Sequence, residues 1–122
     1  MCGIIGYVGK ADATPILLEG LRRLEYRGYA SSGLAVMNCN SDAPIQTRKR
    51  SGRLDNLRTL LTENPAEGNC GISHTRWATH GEPTDENAHP HHDRSGKLAL
   101  VHNGVIENYQ VLKDQLEEDG HT

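Results

Sequence analysis

The sequence predicts a single mixed domain in which short strands alternate with amphipathic helices, and three observations carry that reading. Short apolar runs bounded by glycine, such as Ile4 to Val8 between Gly3, Gly6 and Gly9, have the signature of buried strands. Leucines recur at helical spacing in three other stretches. The length, 122 residues, suits one domain with one core. Taken alone, this alternation of strand and helix suggests a parallel sheet.

Each element has its own signal. Ile4 to Val8 bring the N-terminus into the fold as a strand. Thr14 followed by Pro15 reads as an N-cap and first turn, and Ile16, Leu17, Leu21 and Leu24 then line one face of a helix running to Tyr26, before Arg27 and Gly28 break the pattern. Gly33 to Asn38 predict a second strand. After a polar connection containing Pro44, Leu54, Leu57, Leu60 and Leu61 mark a second helix ending near Asn64 and Pro65, with Arg53 and Arg58 on its solvated face. Cys70 to Thr75 and Lys97 to His102 predict two further strands, separated by a long segment with Pro83 and Pro90 of the kind that carries function or moves. Asn108 then caps a last helix whose Val111, Leu112 and Leu116 are expected to face inward and which Gly120 stops.

Composition narrows the functional classes. A net charge of -3 gives no reason to expect a nucleic-acid partner. Hydrophobic residues make up 35% and aromatic residues only 4%, lean for a domain that stands alone, so part of the core is expected to be missing. Cys2, Cys39 and Cys70 are odd in number and widely spaced, which suggests neither a disulfide framework nor a thiolate zinc site and favours a reducing cytoplasm. No apolar run is long enough to span a membrane, and the first residues lack the features of a signal peptide.

Chemistry concentrates at a few places. Removal of Met1 would leave on Cys2 a thiol and a free α-amine, which titrate near ~8.5 and ~7.7 to 8.0, a nucleophile with its own base. Against this stands the common case of a lone cysteine that merely packs or frays at a terminus. Asn103 and Gly104 offer a side-chain amide and a backbone N–H for an oxyanion hole, although Asn-Gly is also a common hairpin turn. Arg76 is a planar fork suited to a carboxylate, Thr79 adds a hydroxyl, and Trp77 and His80 lie beside them, which together suit a pocket for a small zwitterion or acid; a strand end with a surface arginine is the plain alternative. His74, His80, His89, His91, His92 and His102 match no metal-ligand spacing, so no metal and no cofactor are expected. The glycines at 3, 6 and 9 fit no nucleotide-binding pattern.

In order, Cys-Gly-Ile from Cys2, LRRLEYRGY from Leu21, HTRWATHG from His74, NAHPH from Asn87 and VHNGVIENY from Val101 resemble the N-terminal glutaminase domain of glucosamine-6-phosphate synthases, class II glutamine amidotransferases of the N-terminal nucleophile type. The resemblance implies an α+β fold, a four-layer α/β/β/α sandwich with two antiparallel sheets between helical layers, incomplete at the C-terminus. Residues 1–122 would form a partial amidotransferase domain, without the sugar-phosphate isomerase domains. It implies that Cys2 attacks the glutamine side-chain amide with its α-amine as base, that Asn103 and Gly104 form the oxyanion hole, and that Arg76 clamps the α-carboxylate. Thr79 and His80 would line the pocket, Trp77 would sit on a loop closing over it, and Arg27 would support the nucleophile end. The implied partners are L-glutamine, an isomerase domain on a longer chain that makes glucosamine 6-phosphate from fructose 6-phosphate, and a second copy joined through the missing domains. The sequence departs from the family at Ala30, where an aspartate is usual, and at Ser73, where glycine is usual. With the early end of the chain, these departures favour the alternative of a non-catalytic fragment that acts as a binding or interaction module.

Overall fold

The computed structural model describes residues 3–24, 31–76, 84–104 and 106–121. Its core is a four-stranded sheet built from β1 (Gly3–Val8), β2 (Ser31–Met37), β3 (Gln46–Ser51) and β4 (Cys70–Arg76) in the order β1-β4-β2-β3. Every neighbouring pair is antiparallel. The parallel sheet suggested by alternation is therefore wrong, and the reason is topological. β1 and β2 do run in the same direction around helix α1 (Ala13–Leu24), but β4 is inserted between them and pairs antiparallel with both.

One face of the sheet is packed by α1 and α2 (Leu54–Glu63). Ala13, Leu17 and Leu21 recur one turn apart along α1 and are buried with Leu54, Leu57 and Leu61 of α2 and with Leu34 and Val36 of β2. Ile16, expected on that face, is exposed, because it lies a quarter-turn from the Leu17 stripe. Thr14 does not cap: the helix begins at Ala13, and the Thr14 hydroxyl donates to the Ala66 carbonyl at 2.6 Å, tying α1 to the connection before β4.

β3 was expected as a polar connection. Its QTRKRS run has no apolar alternation, and it is held instead by its ladder to β2 and by polar side chains. Arg48 donates to the Asn64 and Pro65 carbonyls after α2, and Lys49 donates to the Glu86 and Ala88 carbonyls of the 84–90 segment. That segment lies over the sheet, with Ala88 and Pro90 buried.

The expected strand at 97–102 shrinks to β6 (Ala99–Leu100), paired with β5 (His91–His92) in a separate two-stranded ladder. Helix α3 (Tyr109–Glu118) forms where expected, with Asn108 at its N-cap position but no side-chain capping bond. Its end is a Schellman motif: Gly120, at φ +91°, donates to the Glu117 carbonyl and His121 to that of Leu116. Val111, Leu112 and Leu116 do not face inward; none of the residues of α3 is buried.

Candidate active site

The face of the sheet opposite the helices carries the chemistry. Register places Ile4, His74, Gly33 and Lys49 in one row across all four strands. Gly33 is needed there, since a Cβ would collide with the His89 carbonyl and the Lys49 side chain. The 84–90 segment can therefore lie close on the sheet, and the His89 ring stacks on His74 with centroids 4.3 Å apart and meets the His91 ring at a tilt, centroids 4.4 Å apart.

His74 is 1% exposed. Its Nε2 lies 2.6 Å from Asn103 Oδ1, which brings the segment after β6 onto the end of β4. Burial holds the His74 ring below its ordinary pKa; the bond to Asn103 opposes that shift, and the charge of Arg76 reinforces it. His89 is driven down to about 3, first by burial and then by the closeness of His74, His91, Arg76 and Lys49, and His91 is lowered for the same first reason. Among the described residues no group of three or more His, Cys, Asp or Glu side chains is disposed to hold a metal ion.

Of the expected site residues, the structure describes Arg76, Asn103 and Gly104. Arg76 ends β4 opposite Ser31 and is 8% exposed, which excludes the reading as a surface arginine. Gly104 has φ +141°, and the turn it makes with Asn103 leads toward α3, so the hairpin alternative does not hold. Cys2, Arg27, Trp77, Thr79 and His80 lie outside the described residues. Gly3, which follows Cys2 in sequence, pairs with Thr75, and its N–H donates to Thr75 Oγ1 at 3.0 Å. β1 thus starts beside the end of β4 that carries His74 and Arg76. The contact between His74 and Asn103 was not foreseen; the only signal for it is that each residue sits in one of the two densest polar motifs.

No protein-family model matches the chain. The chain is 57% identical over 121 residues to the glutamine–fructose-6-phosphate aminotransferase (isomerising) of Caldanaerobacter subterraneus, covering 99% of this chain and 19% of that protein. It is 55% identical to the protein of the same name from Thermus thermophilus, of which it covers 20%. In fold, the whole chain superposes on glutamine phosphoribosylpyrophosphate amidotransferase from B. subtilis with a TM-score of 0.78 at 28% identity, covering 26% of it. The chain belongs with the N-terminal region of the glutamine–fructose-6-phosphate aminotransferases. Its fold is the α+β fold of N-terminal nucleophile amidotransferases, of which it holds an incomplete portion. A second solved structure, that of the allosteric regulatory enzyme of purine biosynthesis, matches with a TM-score of 0.80 at 29% identity. The chain spans about a fifth of the length of the aminotransferases it matches. No helix among its described residues is long and apolar enough to cross a membrane.

Proposed function

We propose that the chain hydrolyses the side-chain amide of glutamine through a cysteinyl thioester. The observation that carries this is the 57% identity, maintained over 99% of the chain, to proteins named for glutamine-dependent amino transfer. In this reading Met1 is removed, and the α-amine of Cys2 takes the thiol proton as sulfur attacks the amide carbon. Asn103 and the Gly104 N–H stabilise the oxyanion, and collapse of the intermediate expels ammonia with the proton returned by the amine. Water then cleaves the thioester, releasing glutamate and regenerating the thiol. Arg76 binds the α-carboxylate, supported by its burial at the end of β4, where a bidentate ion pair is shielded from water. Thr79, His80, Trp77 and Arg27 complete the pocket.

On a longer cytoplasmic chain, dimeric through its other domains, the ammonia serves synthesis of glucosamine 6-phosphate from fructose 6-phosphate. Residues 1–122 are then one part of a type-2 amidotransferase domain. The test is glutamate release by protein whose mass shows loss of Met1: Cys2→Ala abolishes it, and undiminished release by that variant overturns the reading. A second reading, a non-catalytic binding module, is favoured by Ala30 in place of an aspartate and by the bare apolar face of α3. It requires stabilisation by glutamine without turnover, so steady glutamate production excludes it.

A further inference from the structure

We propose that His74 is a positioning residue for the oxyanion hole, its Nε2–H holding Asn103 Oδ1 so that the amino end of the Asn103 amide is the end presented to substrate. The inference rests on the glutaminase reading and adds a residue to it. A carboxamide can turn either its oxygen or its NH2 to a given place, and only the NH2 end stabilises an oxyanion. With the amide flipped, the oxygen lone pairs would face the developing negative charge. A donor fixed against Oδ1 removes that choice, and His74 Nε2 stands 2.6 Å from it.

The ring is itself immobilised. It is 1% exposed, stacked on His89, and carried by a strand paired on both sides, to Ile4 and to Gly33. Its tautomer follows from its surroundings. Nδ1 is buried with no hydrogen-bond partner among the described residues, so a proton there would be stranded, whereas a proton on Nε2 has Asn103 to receive it. The same arrangement argues against His74 as the general base, because Nδ1 has no partner among the described residues and the ring is held by Asn103 and the backbone of His102.

The test uses the whole chain, with nitrogen-15 in its histidines, and two variants. His74→Gln keeps an N–H donor near the Nε2 position; His74→Leu removes it at similar volume. The expected spectrum shows a neutral His74 ring with its proton on Nε2. In glutamine hydrolysis His74→Leu loses kcat by roughly 10- to 100-fold, short of the 10²–10³ typical of deleting a donor outright. KM changes by no more than about 2-fold, since the contact matters in the transition state, and His74→Gln recovers most of the loss. A purely structural role would lower the folded fraction without this split or rescue. Wild-type kcat in His74→Leu, or a proton on Nδ1, overturns the proposal. If His74→Leu does not fold, the comparison of His74→Gln with wild type and the tautomer decide. A wild-type chain that releases no glutamate overturns the glutaminase reading itself, a result distinct from a working wild type whose variants are unimpaired.

Discussion

Ser73 shows how a single side chain can stand at odds with its surroundings. It is fully buried on the helix-facing side of β4, opposite Leu34 and Ile5, and its hydroxyl has no partner among the described residues. An unpaired buried hydroxyl costs about 1–3 kcal/mol, and removing it leaves only a void the size of one oxygen. Ser73→Ala is therefore expected to stabilise the chain by about 1 kcal/mol, read as a raised denaturant midpoint at unchanged slope; a lowered midpoint would mean that the hydroxyl has a use. The reach of the sequence at this scale was uneven. Asn103 and Arg76 could be singled out as candidates from local chemistry, whereas the tie between His74 and Asn103 joins residues 29 apart and depends on register.

At the scale of elements, α1 and α2 were legible because each buries a single stripe of leucine against the sheet, so periodicity and burial coincide. β3 was not, since a strand whose side chains bond to loops leaves no apolar alternation to read. α3 was read correctly as a helix and wrongly as a core helix, because amphipathic spacing specifies a face and says nothing of what covers it. The two kinds of helix should respond differently to mutation. Leu17→Ala is expected to cost about 2–5 kcal/mol by opening a cavity among Leu21, Leu34 and Leu57. Leu116→Gln, at a site 51% exposed, should change stability by no more than about 0.5 kcal/mol. Chemical denaturation of both variants checks the contrast, and equal costs would mean that α3 is packed in solution.

For the whole molecule, the three imidazoles over the sheet make stability depend on pH. His74, His89 and His91 all have pKa values lowered in the fold, His89 to about 3 against an ordinary 6.5. Below pH 6.5 the unfolded chain therefore binds more protons than the folded one, so their contribution is intact above that pH and is lost as pH falls toward about 3. The melting temperature should fall steadily through this window, and His89→Phe, which cannot take up a proton, should flatten the fall. A melting temperature independent of pH there would show that the rings are hydrated. The antiparallel order of the sheet could not be read from the sequence at this scale, because nothing in local spacing says that β4 enters between β1 and β2.

The connection from Ala66 to Asn69 is the meeting point of that topology. It accepts the Thr14 hydroxyl at Ala66, the N–H of Ala13 at Gly68 and that of Gly9 at Asn69, while Asn69 donates to the Met37 carbonyl at the end of β2. Loosening this short stretch would release the start of α1, the end of β1 and the end of β2 together. The amides these bonds engage, those of Gly9, Ala13 and Asn69, should therefore trade their hydrogens for deuterium only when the whole sheet opens, on the slowest timescale the protein has. The amides of α3, ten residues long and unburied, should trade theirs almost at the rate of a free peptide. One chain would thus keep two clocks.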